Sequence, residues 1–253
     1  RGFGVTGYVQ NLPDGSVKPY PNEALNGWSR GDPPDSVFVC VQSVHVDDAG
    51  RLWILDPANP MFEGVVDGGP KLMQVDLETD RVARIYPFDA SIAPARSYLN
   101  DVRVDPATGT AFITDSGLGA LVVLDLGSGA ARRLLADHPS TRAEDITMTI
   151  GGSPANMEVH ADGIALDREG GWIYYQALTG RTMYRVPAAA LRDEELDAEA
   201  LAAAVEAFAE SGVSDGLLHG PGGVYVSALE HDAIRLVDET GAVSTVVQDP
   251  RIK

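Results

Sequence analysis

Residues 100–114 read NDVRVDPATGTAFIT: a polar start, an alternating strand that ends in aspartate, a tight turn and a second strand with an aromatic residue. Related blocks begin at Gln42, Asp162 and Asp215. Their aligned ends, which lie 58, 62 and 52 residues apart, are Asp47, Asp105, Asp167 and His219. A four-stranded antiparallel unit with its loops has this length, and repeated units of this kind close radially. The repeat therefore predicts an all-β fold, a β-propeller.

A third and usually a fourth strand follow each block, joined by turns rich in Gly, Asp and Thr, which suit hairpin turns. The predicted pairs are 72–77 with 82–86, 121–126 with 130–135, and 233–237 with 242–247. The second strands carry aromatic residues that we expect to pack in the core between blades rather than to form a ligand cage. These residues are Trp53, Phe112, Trp172, Tyr174 and Tyr225.

Two segments interrupt the repeat. Residues 193–210 place apolar side chains at helical spacing, which predicts one inserted amphipathic helix. That helix would either cover a long connection between blades or bind a partner. Residues 138–160 are too long for a simple hairpin, and long loops on rigid scaffolds often line sites.

The chain carries 37 acidic and 19 basic side chains, a formal net charge of -18. This charge disfavours nucleic acid and anionic membrane surfaces and favours cationic ligands. The single cysteine, Cys40, lies in an apolar run and predicts a buried small hydrophobe. No apolar run reaches the ~18 residues of a membrane span. Walker and dinucleotide glycine motifs are absent from the sequence, so no nucleotide cofactor is expected.

Several segments together resemble the major royal jelly protein/Yellow family, especially its bacterial members. They are GRLWILD at 50–56, GPKLMQVDLETD at 69–80, YLNDV at 98–102, DGIAL at 162–166 and YYQAL at 174–178. The resemblance implies a six-bladed β-propeller formed by one domain over residues 1–253. Because we count four full repeats, an opening strand region at 3–9 and a terminal stretch at 246–253, we expect the closing blade to be partly missing. The resemblance also favours a secreted or periplasmic protein over a cytoplasmic one.

Polar residues begin the inner strand of successive blades, so a propeller would bring them to one mouth of its central channel. They are Asn100, Asp101, Asp162 and Asp215. Their oxygens suit calcium or another divalent cation. Glu158 and His160 lie just before Asp162 and are further ligand-binding candidates. The alternative is structural, because such aspartates also accept backbone N–H groups in tight turns.

The similar gluconolactonase and regucalcin propellers hold a divalent metal with Asn and Asp residues and hydrolyse lactones. This likeness implies Asn100, Asp162 and Asp215 as metal ligands, with Asp162 and Asp215 as catalytic carboxylates. No residue near 3–9 matches the glutamate that completes such sites. Three functions stay open: binding of a small cation or amine, as in sand-fly Yellow relatives, metal-dependent lactone hydrolysis, and a non-catalytic interaction scaffold. Whether the protein is an enzyme and how many copies assemble are left undecided by the sequence.

Overall fold

The computed structural model describes residues 9–11, 15–167, 169 and 171–252. Most of the predicted opening strand region at 3–9 therefore lies outside the described residues. The described chain begins with a two-stranded sheet, in which β1 (Val9–Asn11) pairs with β2 (Val17–Pro19). No helix among the described residues could cross a membrane.

Four four-stranded antiparallel sheets follow, each a meander in chain order, and we call them blades 1 to 4. Blade 1 contains β3 (Ser43–Val46), β4 (Leu52–Asp56), β5 (Lys71–Asp76) and β6 (Arg81–Pro87). Blade 2 contains β7 (Leu99–Asp105), β8 (Thr110–Asp115), β9 (Ala120–Asp125) and β10 (Ala131–Leu134). A small hairpin of β11 (Met148–Ile150) and β12 (Ser153–Ala155) precedes blade 3.

Blade 3 contains β13 (Ala161–Leu166), β14 (Trp172–Ala177), β15 (Thr182–Pro187) and β16 (Glu206–Glu210). Blade 4 contains β17 (Ser214–Gly220), β18 (Gly223–Ala228), β19 (Ala233–Val237) and β20 (Val243–Gln248). The first strands are neighbours: β7 packs against β3 and β13, and β13 packs against β17. The four predicted repeats are thus confirmed as blades, whereas the six-bladed ring stays a prediction.

The predicted helix over 193–210 is wrong in extent. One short helix, α1 (Ala188–Arg192), precedes the segment, a second, α2 (Ala198–Ala203), lies within it, and its last five residues form the outer strand β16. In that strand Ala209 pairs with Met183 of β15, and Phe208 packs against the core between blades 3 and 4. The open edge of β15 supplies backbone partners that a longer helix would leave unused, so tertiary pairing overrides the local helical pattern.

Aromatic and aliphatic side chains fill the spaces between neighbouring blades. Trp53, Phe112 and Tyr174 are buried, as predicted for the second strands. Trp172 and Tyr225, in contrast, are only half-buried. The core of blades 1 to 4 therefore accounts for most of these aromatics but leaves two of them partly open to solvent.

A buried ion pair fixes the second and third strands of blade 1. The Lys71 ammonium is 1% exposed and donates to Asp56 Oδ2 at 3.0 Å and to the carbonyls of Pro34 and Gly69. Asp56 also accepts the backbone N–H groups of Val39 and Cys40. Every ammonium proton is thus satisfied, as burial of a charge requires.

Aspartates at the far ends of the inner strands serve the turns that follow them. Asp47 accepts the N–H groups of Ala49 and Arg51, both at 3.0 Å. Asp105 accepts the N–H of Ala107, and Asp167 accepts that of Glu169. Blade 4 has His219 at the equivalent position. The structural interpretation of a repeated aspartate therefore holds at this end of the strands.

Candidate functional site

The opposite ends of the inner strands of blades 2 to 4 carry Asn100, Asp101, Asp162 and Asp215, and each of these three strands has a β-bulge there. The register shifts between Leu99 and Val102 in β7, and at the equivalent places in β13 and β17. The bulged pairs are Asn100-Asp101, Asp162-Gly163 and Asp215-Gly216. A bulge sets two residues against one partner and re-aims a side chain. Asn100, Asp162 and Asp215 therefore occupy equivalent structural positions, as predicted. We call the site formed by these three residues and Asp101 the acidic mouth.

Glycine in the bulge allows the inner strands to approach closely. A Cβ added to Gly163 would lie 3.1 Å from Leu217 Cγ and 3.3 Å from its backbone nitrogen. The Asp-Gly pattern at the start of β13 thus combines two requirements, a carboxylate at the mouth and a backbone without a side chain beside β17.

A chain of side-chain hydrogen bonds crosses from blade 1 to blade 3. The Tyr98 hydroxyl donates to Gln42 Oε1 at 2.7 Å, and Gln42 Nε2 donates to Asn100 Oδ1 at 3.0 Å. Asn100 Nδ2 in turn donates to Asp162 Oδ1 at 2.7 Å. Because a phenol hydrogen points toward Gln42, each amide is oriented by the previous one, and the chain ends with a donor aimed at Asp162. We call these four residues the mouth relay.

Asp162 is the most perturbed acid of the mouth. Its side chain is 5% exposed, and burial, followed by the nearby Asp215 and Asp101 carboxylates, raises its pKa from 3.8 to about 8. The hydrogen bond from Asn100 opposes this rise. A carboxyl with such a pKa exchanges its proton near neutral pH, and a nearby cation would stabilise its ionised form.

Asp101, the second residue of the blade 2 bulge, is already paired. It accepts hydrogen bonds from Ser43 Oγ and Arg103 Nη1, both at 2.8 Å. Arg103 also links blade 2 to blade 4, because its Nη2 donates to the carbonyl of Leu217 at 2.9 Å. Asp101 therefore adds negative charge to the mouth while Arg103 holds its carboxylate in place.

Asp215 is exposed at the start of β17. It lines a cavity of about 200 Å³ together with Ile150 and Gly151 at the tip of the β11–β12 hairpin. The predicted long segment 138–160 thus brings this hairpin beside the mouth. Because the side chain is exposed, Asp215 is the carboxylate that an entering ligand can reach first.

Glu158 and His160 have other partners. Glu158 is exposed and lies 3.9 Å from Arg142 and 3.8 Å from His160 Nε2. His160 Nδ1 accepts the Ala143 N–H at 2.9 Å, and burial and the Arg142 guanidinium lower its pKa. Among the described residues no hydrogen bond or ion pair links either side chain to Asp162. Their proposed ligand-binding role stays a prediction, and His160 has a clear structural task.

The side-chain oxygens at the acidic mouth are of the type that binds a divalent cation, but their positions match a metal site only in part. Asn100, Asp162 and Asp215 supply hard oxygen atoms. However, Asn100 presents Nδ2 rather than Oδ1 to Asp162, and the described residues contain no group of three His, Cys, Asp or Glu side chains close enough to hold a metal ion. A metal would require the Asn100 amide to turn and Asp215 to move inward.

Sequence reasoning missed Gln42, Tyr98 and Arg103. A signal existed for Gln42, because it occupies the position in block 1 that Asn100 occupies in block 2. Tyr98 and Arg103 carry no such signal, since a tyrosine before a strand and an arginine within one usually serve packing or solvation. Only the folded structure shows that Tyr98 and Arg103 orient the side chains of the acidic mouth.

Comparisons with known proteins agree with this fold. A virginiamycin B lyase from Staphylococcus aureus with quinupristin has a TM-score of 0.52 at 12% identity, covering 83% of this chain and 56% of that one. A gluconolactonase from Xanthomonas campestris has a TM-score of 0.52 at 16% identity, covering 83% and 62%. A putative gluconolactonase structure has a TM-score of 0.56 at 14% identity, covering 97% and 71%.

At such identities these structures show a shared propeller fold alone, and the chain spans little more than half the length of the lyase. A search of curated proteins gave no match. The sequence model of the major royal jelly protein family, in contrast, matches residues 39–250. This match includes all four blades and every residue of the mouth relay, so the chain belongs to the major royal jelly protein family.

Proposed function

We propose that the protein binds a small cation, either a divalent metal ion or an organic amine, at the acidic mouth. The observation that carries the proposal is the environment of Asp162. This buried carboxyl lies near two other carboxylates, and its side-chain hydrogen-bond partner, Asn100, is a neutral amide. A buried carboxylate without a cationic partner is costly, and a cation from solution would supply one. The negative charge of the whole chain would raise the local concentration of such a ligand.

Binding should depend on pH in a defined direction. Asp162 must lose its proton to pair with a cation, so affinity should rise between pH 6 and pH 9 and protons should be released on binding. The same behaviour is expected for calcium and for a primary amine, because both require the ionised carboxylate.

Isothermal titration with calcium chloride and, separately, with tyramine at pH 6.0 and 8.5 tests the proposal. We expect tighter binding of at least one probe at pH 8.5, lost in Asp162→Asn and weakened in Asp215→Asn. The matched control is Glu195→Gln, an exposed acid in the connection between β15 and β16 of blade 3. Binding that is equally strong in Asp162→Asn, or no binding of either probe at pH 8.5, would contradict the proposal and favour an interaction scaffold.

A second candidate is metal-dependent hydrolysis of a lactone, supported by the ability of Asp162 to take up a proton near neutral pH. Asn100, Asp162 and Asp215 would hold the metal, which would polarise the substrate carbonyl. Asp162, held by the hydrogen bond from Asn100, would hold a water molecule and accept its proton. The test is proton release from glucono-δ-lactone with calcium, manganese or zinc present. A rate equal to that of buffer with each metal excludes this candidate without affecting cation binding.

A further inference from the structure

A second concave site lies at the other end of the inner strands, between blades 3 and 4. It is a cleft of about 780 Å³, a volume ordinary for a small-molecule site. Asp162 and Asp215 lie at the starts of β13 and β17, whereas Asp167 and His219 of the cleft lie at their far ends. The cleft is therefore separate from the acidic mouth, and its walls belong to two complete blades.

Half-buried aromatic rings line this cleft. Trp172 and Tyr225 are the two second-strand aromatics that the core leaves partly open, and Tyr174 lies beside them. Gly220 helps to keep one ring uncovered, since an added Cβ there would lie 3.1 Å from Cε2 of Tyr225. Partly exposed aromatic side chains in a concave site offer flat apolar surfaces against which a ring-shaped ligand can pack.

An arginine in the cleft is held in a fixed orientation. The Arg185 guanidinium lies 4.3 Å from the Trp172 ring centre and 4.2 Å from that of Phe208. Its Nε donates to Glu206 at 2.8 Å, and its Nη2 lies 2.7 Å from the same carboxylate. Arg185 is thus preorganised and its charge is balanced, so it offers directed N–H donors rather than a site for anions.

His219 supplies the unexplained polar atom. Its ring is nearly parallel to Tyr174, with centroids 6.1 Å apart and an interplanar angle of 11°. Its Nδ1 is buried and has no hydrogen-bond partner among the described residues. Buried polar atoms are normally paired, and an unpaired one requires an explanation such as a water molecule or a ligand.

Acceptors complete the cleft. The acidic residues Asp167, Glu169 and Glu239 line it, alongside Arg185 and His219. A ligand rich in hydroxyl groups both donates and accepts hydrogen bonds and so matches this mixture. The surplus of carboxylates among the described lining residues opposes a phosphate or a carboxylate ligand.

We propose that this cleft, defined by Trp172, Arg185, His219 and Tyr225, binds a neutral polyhydroxylated ring, a monosaccharide or a sugar unit of a glycan. The rings of Trp172 and Tyr225 pack against the ligand, and Arg185, His219 and the carboxylates bind its hydroxyl groups. The site acts independently of cation binding at the acidic mouth.

Tryptophan fluorescence is a direct assay, because Trp28 and Trp53 are 8% and 1% exposed and Trp172 is the half-buried one. Glucose, galactose, mannose, N-acetylglucosamine and myo-inositol are titrated up to about 50 mM, a range that covers the weak millimolar affinity of a single small ring. We expect a saturable change with at least one of them, absent in Trp172→Phe. Backbone amide NMR shifts should report the same dissociation constant in both proteins or a modest weakening in the variant.

Variants separate this cleft from the rest of the molecule. Tyr225→Ala and His219→Ala should weaken sugar binding at least tenfold while circular dichroism and the melting temperature show a folded protein. Phe62→Ala removes an exposed aromatic outside the cleft, and Asp162→Asn disables the mouth, so both should bind sugar as the wild type does. The proposal is overturned if none of the five probes binds, if binding survives in both cleft variants, or if it disappears in Asp162→Asn.

Discussion

Replacing Asp162 by asparagine should make the protein more stable at alkaline pH and change little at acidic pH. The substitution keeps the shape of the side chain and leaves an oxygen to accept the hydrogen bond from Asn100, but it removes the charge. Well below the ordinary pKa of 3.8 the carboxyl is protonated in both the folded and the unfolded chain. Between pH 4 and 8 the unfolded chain releases its proton while the folded one keeps it, so folding stability falls as the pH rises through this window.

The size of the effect follows from the pKa. One pKa unit corresponds to about 1.4 kcal/mol, so a rise from 3.8 to about 8 for a side chain that is 5% exposed costs on the order of 5 kcal/mol above pH 8. Relaxation of the mouth and entry of water reduce such costs, and we expect Asp162→Asn to gain about 3 kcal/mol at pH 9. At pH 4.5 the gain should be below about 1 kcal/mol.

Urea unfolding of wild type, Asp162→Asn and Glu195→Gln at pH 4.5, 7 and 9 measures these differences. The exposed control should follow the wild type at each pH. Calcium or tyramine at pH 9 should stabilise the wild type and not the Asn variant, because a ligand that binds only the folded state adds to its stability. An Asn variant whose stability runs parallel to that of the wild type from pH 4.5 to 9 would refute the reasoning about Asp162.

Three further predictions concern the scaffold. Lys71→Met leaves Asp56 buried without its cation and should lower the free energy of unfolding by about 3 kcal/mol in urea titrations, whereas a loss below about 1 kcal/mol would show that backbone N–H groups alone neutralise that carboxylate. Gly223→Ala places a Cβ 2.1 Å from a backbone carbonyl at a φ of 137°, and we expect it to lower the melting temperature by about 10 °C. Gly151→Ala, which also has a positive φ but whose Cβ meets nothing within 4 Å, should lower it much less, and equal drops would contradict this. Tyr98→Phe removes the first donor of the mouth relay and should lower the free energy of unfolding by about 1 kcal/mol in urea titrations. If this variant leaves both the stability and the cation affinity unchanged, the amides need no orienting hydroxyl.

Much of the fold could be predicted because the same pattern of strands and turns recurs in successive blocks of the sequence. The alternating strand and the aromatic second strand recur in each block, and the turn aspartate recurs in the first three. The predicted pair 233–237 with 242–247 agrees with β19 and β20 within one residue. The segment 193–210 failed because spacing of apolar side chains at 3.6 residues cannot reveal that β15 has an open edge in need of a partner. Its last five residues pair with β15 as a strand instead of continuing the helix that their local spacing predicts.

The sequence predicted which residues lie at the acidic mouth but not the hydrogen bonds that link them. Asp162 and Asp215 were identifiable from the Asp-Gly step near the start of the inner strands of blades 3 and 4. The pKa of Asp162 could not be, because it depends on burial and on carboxylates that are distant in sequence. The direction of the Asn100 amide depends likewise on Tyr98, through Gln42 of another blade. The ring size and the export of the protein stay predictions.

Arg103, which links blade 2 to blade 4, also has a consequence for folding. Its bond to the carbonyl of Leu217 joins residues 114 positions apart, from the first strand of blade 2 to the first strand of blade 4. Contacts so distant along the chain form late and slowly. We therefore expect the guanidinium to gain this acceptor only after blade 4 has been synthesised, so that the contact between the inner strands of blades 2 and 4 forms late in folding.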